Sequence, residues 1–177
     1  MKLHIPNQNE LRQIKKLYKK SFPPEEKKPF WLIRKGCRDH KLEMLSLSED
    51  GFKGFVISML FQEFVLIDYF AIQSGQRGNG CGSRALELLK ERYHGKKIIL
   101  EVEPPSEMAD NNVQRIKRKQ FYHRNGFHDT HIHVTVFGAP LELLAYNCDI
   151  TFSEYCRIYQ YCYGTFVARL LQLKQVK

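Results

Sequence analysis

Leu11, Ile14, Leu17 and Tyr18 recur at helical spacing while Arg12, Lys15, Lys16, Lys19 and Lys20 fill the opposite face. That pattern predicts an amphipathic helix over residues 8–20, ended by Pro23-Pro24. Glu25 to Lys35 places acidic residues first and basic residues last, the order a helix dipole favours, and predicts a second helix with a boundary or kink at Pro29. Lys41 to Ser48 and Phe52 to Phe61 read as strands around Glu49-Asp50-Gly51, a hairpin signal. Phe64 to Ile72 is nearly all apolar and reads as a central strand buried on both faces.

Ala85, Leu88, Leu89 and Tyr93 repeat at helical spacing up to Gly95. Lys97 to Glu103 alternates as a strand, with Ile98, Leu100 and Val102 on one side and Ile99, Glu101 and Glu103 on the other. After Pro104-Pro105 the charged stretch Ser106 to Arg124 predicts a helix, and Phe127 to Phe137 a long strand. Two further helices are expected over Phe152 to Tyr163 and Phe166 to Leu173. The order predicts a mixed α/β fold with an antiparallel front half. It fits a single domain over residues 1–177, with a core to about Gly138 and a C-terminal strand and helices from about residue 139.

Composition narrows the class. With 43% apolar, 12% aromatic and 27% charged residues the chain is globular rather than disordered. The apolar run Phe55 to Phe61 is far short of the ~20 residues needed to cross a bilayer, and no secretory-type stretch follows Met1. A cytoplasmic protein without a membrane partner is expected. Five cysteines include no Cys-x-x-Cys pair, which suits reduced thiols. The 28 Lys and Arg against 19 Asp and Glu leave a net charge of +9, which attracts polyanions at long range. The basic run Arg115, Lys117, Arg118, Lys119 reads as a solvated face or a patch steering phosphates rather than a nucleic-acid site, so no nucleic-acid partner is expected. His128, His131 and His133 lack an acidic companion at fixed spacing, and no metal is expected.

The sharpest chemistry lies between the buried strand and the helix that follows it. In Gln76-Arg77-Gly78-Asn79-Gly80-Cys81-Gly82-Ser83 the glycines let backbone N–H groups converge on an anion at a helix N-terminus. The loop departs from the Walker pattern because Cys81 stands where Lys is required, and from the dinucleotide fingerprint because Ser83 replaces the third glycine. It matches Arg-x-x-Gly-x-Gly from Arg77 to Gly82. With the preceding strand and Phe121-Tyr122-His123-Arg124-Asn125-Gly126-Phe127, it resembles the GNAT superfamily of N-acetyltransferases. Phe22-Pro23-Pro24-Glu25-Glu26, Pro140-Leu141-Glu142-Leu143-Leu144 and Tyr163-Gly164 extend the resemblance, which looks like a branch of small bacterial GNAT proteins and covers residues 10–164. Arg115 stands where the family often has Asn.

The resemblance implies a strongly bent mixed sheet flanked by helices, with acetyl-CoA as co-substrate. It implies a cofactor site of Phe70, Ala71 and Ile72, whose strand backbone polarises the acyl carbonyl, and of Arg77, Gly78, Asn79, Gly80, Cys81, Gly82 and Ser83, which grip the pyrophosphate. It also implies Tyr122 as the acid that protonates the departing thiolate, a role open to a phenol of pKa about 10. Attack by an amine needs a proton acceptor, for which Glu103 and then Glu101 are the candidates, with Asp68 and Glu26 behind them; the plainer alternative has Glu101 and Glu103 only hold the ammonium or pair with nearby Lys and Arg. Asp68, Glu26 and Phe22 are candidates for the acceptor pocket. The expected reaction is direct acetyl transfer to a primary amine of a small molecule or peptide. The alternative is a non-catalytic acyl-CoA sensor or interaction module. The aromatic tail Tyr155, Tyr159, Tyr161, Tyr163 suits covering either the chain's own sheet or a second copy in a homodimer.

Overall fold

The computed structural model describes residues 1–136, 138–165 and 174–176, and the chain divides into two compact units, Met1–Lys96 and Lys97–Lys177. The first unit runs β1 (Lys2–His4), α1 (Gln8–Ser21), a 3-10 turn (Pro24–Glu26), α2 (Phe30–Arg38), β2 (Leu42–Ser48), β3 (Phe52–Phe61), β4 (Phe64–Ile72), a second 3-10 turn (Ser74–Gln76) and α3 (Cys81–Arg92). Its four strands pair in the order β1-β2-β3-β4, all antiparallel.

Local chemistry explains these bounds. Asn7 and Glu10 form a reciprocal capping box at the start of α1, an arrangement worth about 1 kcal/mol, and Ile14 and Tyr18 bury its apolar face. The boundary expected at Pro29 is observed: Pro24–Glu26 forms a 3-10 turn, and the helix starts beyond the proline. Pro29 cannot donate an N–H, so it serves as the N-cap of α2, which runs on to Arg38. At the β2–β3 turn Asp50 and Gly51 have φ of 50° and 116°, as the Asp-Gly signal requires.

Two irregularities shape β4. Ile57 pairs with Tyr69 but Ser58 with Ile67, which leaves Asp68 as the extra residue of a bulge. Farther along, a β-carbon on Gly54 of β3 would collide with the carbonyl oxygen of Ala71, so the two backbones approach at a distance only glycine allows.

The second unit runs β5 (Lys97–Val102), α4 (Asn112–Arg124), β6 (His128–Val136), β7 (Ala139–Tyr146), α5 (Phe152–Tyr163) and β8 (Lys174–Val176). Its strands pair in the order β5-β7-β6-β8, again antiparallel. Helix α4 begins six residues later than the charge pattern suggests, because Ser106 to Asn112 folds as turns, with Ala109 N–H on the Ser106 carbonyl and Asn112 N–H on Ala109. In β6 the register shifts between Asp129 and His133, and His131 takes φ 57°. His131 and His133 nonetheless remain exposed on either side of buried Ile132.

Helix α5 keeps its expected bounds. Thr151 and Glu154 form its capping box, and Tyr155, Ile158 and Tyr159 are fully buried. The helix expected over Phe166 to Leu173, and Phe137, lie outside the described residues. Among the described residues no helix is long and apolar enough to cross a membrane.

Candidate active site

The glycine-rich loop is built on β4 and α3. Arg77 donates from Nε to the Ile72 carbonyl at 3.1 Å, Gln73 N–H bonds to Lys53 O at 2.9 Å, and Lys53 Nζ donates to Gln76 Oε1 at 3.1 Å. These bonds tie the loop back to the ends of β3 and β4. Gly78 and Gly80 have φ of 82° and 74°, and a β-carbon on either would meet open space. Backbone conformation, rather than crowding, therefore requires glycine at both positions.

Gly80 is the N-cap of α3 and offers no side-chain cap; the first helical bond runs from Arg84 N–H to Gly80 O at 3.0 Å. The N–H groups of Cys81, Gly82 and Ser83 thus open a helix whose first turn has no carbonyl of its own to receive them. Positive dipole end, exposed loop and the Arg77 cation together make a cradle suited to a phosphate. Phe70, Ala71 and Ile72 lie at the adjoining end of β4, paired with Val56, Phe55 and Gly54.

The bulge residue Asp68 is engaged. Its Oδ1 meets Lys28 Nζ at 2.6 Å, with the two side chains 2% and 5% exposed. Tyr69 completes the clasp: its hydroxyl donates to Glu26 O at 2.8 Å and accepts from Lys28 N–H at 3.1 Å, and its ring lies 5.1 Å beneath the Lys28 ammonium. Phe22 packs edge-on against Tyr69 at 4.9 Å and tilted against Tyr18 at 5.8 Å. Phe22, Glu26 and Asp68, expected together at the acceptor pocket, are brought together here. Asp68, however, already holds an ammonium belonging to the chain.

In the second unit Tyr122 is buried on α4 between Phe121 and Phe127, at ring distances of 5.1 and 5.8 Å. Burial pushes its phenol up to about 12, and the charge of Arg118 works the other way. The two candidate carboxylates part company. Alternation predicts one shared face, but β5 ends at Val102, and Glu103 beyond it turns to α4, where Arg115 and Arg118 meet it at 2.7 and 2.8 Å. Arg115 also donates to Asn111 Oδ1 at 2.7 Å and to Pro104 O at 3.2 Å, so it secures the turn ahead of α4. Glu101 instead accepts from the hydroxyls of Tyr155 and Tyr159 of α5, both at 2.7 Å on Oε1.

Sequence reasoning missed Lys28 and Tyr69, whose partners lie about forty positions away. It noticed Tyr155 and Tyr159 only as an aromatic tail; their i, i+4 spacing was the available signal that both reach one point. Among the described residues no group of three or more His, Cys, Asp and Glu side chains is placed to hold a metal ion.

Comparison with known proteins bears on this arrangement. No family model matches the chain. A 67-residue segment is 36% identical to the candidate acetyltransferase YjbC of Bacillus subtilis (strain 168), a match that covers 38% of this chain and 32% of that protein. Among solved structures, a candidate GNAT-family acetyltransferase from Bacteroides thetaiotaomicron superposes with a TM-score of 0.75 at 24% identity, covering 93% of this chain and 99% of the other. An aminoglycoside 6'-N-acetyltransferase complexed with coenzyme A gives 0.63 at 14% identity, over 82% and 96% of the two chains. The ribosomal-protein-S18-alanine N-acetyltransferase of Escherichia coli gives 0.62 at 16%, over 85% and 95%. The fold is that of the GNAT acetyltransferases.

Proposed function

We propose that this chain uses its GNAT fold as an acetyl-CoA-dependent N-acetyltransferase that moves an acetyl group onto a primary amine. The observation that carries this reading is the uncapped start of α3 behind Gly78 and Gly80, which aims main-chain donors at a phosphate-sized anion. The coenzyme A held by a structural neighbour supports the same ligand. Arg77 and the amides from Gly78 to Ser83 hold the pyrophosphate, and the backbone of Phe70 to Ile72 polarises the acyl carbonyl. Donors of that kind contribute roughly 3 kcal/mol in a transition state.

Tyr122 keeps its proton through neutral pH, because burial makes the phenolate costly. Transfer of that proton to a thiolate of ordinary pKa, about 8.5, runs uphill, and the Arg118 charge makes the climb smaller than burial alone would. Glu103 therefore acts by holding Arg118 beside Tyr122, since its charge is already shared by two guanidiniums. Glu101 takes the proton from the acceptor ammonium, directly or through water, with Tyr155 and Tyr159 fixing one of its oxygens. The acetyl group passes straight to the amine nitrogen, which forms the C–N bond as the C–S bond breaks.

Calorimetry with coenzyme A and an amine-panel assay following its release test the reading. Tyr122→Phe is expected to bind coenzyme A as the parent does and to lose turnover at least about a hundredfold. Folded protein that takes up no coenzyme A thioester overturns the proposal. Uptake without release of coenzyme A on any amine makes the chain a sensor.

A further inference from the structure

Residues 1–41 hold twelve Lys and Arg against four Asp and Glu, a surplus of eight out of the chain's nine. On α1 the exposed residues are Gln8, Asn9, Arg12, Lys15, Lys16, Lys19 and Lys20, so past its first turn the outer face is wholly cationic. No ion pair with a carboxylate is found for any of those five cations among the described residues. On α2 a second stripe, Trp31, Arg34, Lys35 and Arg38, is exposed at i, i+3, i+4 and i+7, with Trp31 at 68% and Lys35 paired to Asp39 at 3.0 Å, which leaves Arg34 and Arg38 as its cations for a partner. The stripes adjoin: Lys15 Nζ lies 5.9 Å above the Phe30 ring, and Lys27 Nζ donates to the Lys19 carbonyl at 3.1 Å.

From this we infer that α1 and α2 form a docking face for single-stranded nucleic acid. Unpaired cations in line along a helix match a phosphate backbone, and a bare indole beside them offers a stacking platform for a base. An anionic membrane suits the face less well, because among the described residues Trp31 is the one large apolar side chain exposed on α1 and α2, too little to enter the hydrocarbon. The basic run on α4, the segment that composition singles out, is unsuited: Arg115 and Arg118 are bound to Glu103, and Lys119 to Glu142 and Asp129. The docking face is independent of the acyl-transfer reading.

Fluorescence anisotropy with a labelled single-stranded RNA of mixed sequence tests the inference on the full chain. With about five phosphate contacts, affinity should fall roughly a hundredfold between about 50 and 200 mM salt. Lys16→Glu with Lys20→Glu should weaken binding more than tenfold and flatten the salt slope, and Lys16→Gln with Lys20→Gln should do so to a lesser degree, without introducing acidic charge. Trp31→Ala should cost about tenfold. The control, Lys117→Glu with Arg124→Glu on α4, changes net charge by the same amount and should stay within about twofold. Equal loss in that control overturns the inference. So does absence of RNA binding at low salt, tighter binding to phosphatidylserine vesicles, or binding of polyglutamate as tight as that of RNA with no effect of Trp31→Ala.

Discussion

In α4, Arg115 and Arg118 close on Glu103 while Lys119 bridges Glu142 and Asp129 at 2.8 and 2.9 Å. In α1, five cations stand along the outer face with no carboxylate among the described residues to meet them. Counting charges would rank the two helices alike, and the neighbours rank them apart. A cation bound to a half-buried carboxylate belongs to the architecture, whereas one facing water contributes little to folding and keeps its field for a partner.

The largest break in that comparison should come from Lys119→Met. Glu142 is 6% exposed, and its Oε1 already lacks a hydrogen-bond partner. Loss of Lys119 would strand its second oxygen as well and destabilise the fold by about 3 kcal/mol, read as a lower denaturant midpoint. A smaller effect depends on pH. Burial acts to raise the Asp129 carboxyl, but the hydrogen bonds and charges of Lys119 and His123 outweigh it and hold the group below its ordinary value. Its contribution is therefore complete above about pH 4 and disappears as pH falls through the lowered value. Asp129→Asn should flatten the acid limb of stability against pH, and an unchanged limb would sever Asp129 from the network. The smallest effect belongs to α1: Lys16→Ala with Lys20→Ala should leave stability within about 0.5 kcal/mol, measured by the same denaturant titration. A larger loss would mean that those cations hold the fold.

Much of the architecture is written locally. β2, β3 and β4 follow from apolar runs around an Asp-Gly turn, and α5 from a Thr-x-x-Glu box at one end and Gly164 at the other. The anion loop was readable for the same reason, since all its donors lie within a few residues of one another. β1 and β8 are three residues each, too short for a periodic signal, and exist through their pairing with β2 and β6. The bulge at Asp68 depends on the partner strand, and the Lys28 clasp on residues brought from across the unit. Glu101 and Glu103 teach the same point, because alternation holds only while the strand lasts. Val102 ends it, so one carboxylate belongs to α5 and the next to α4.

Gly54 carries a consequence out of proportion to its size. It touches neither the loop nor any candidate acid or base, yet a single added methyl would wedge apart the hairpin beside Ala71. In a saturation mutagenesis experiment this position should tolerate nothing, and its intolerance would be misread as catalytic. What it guards is an absence of atoms, the gauge by which one strand sets the height of the next.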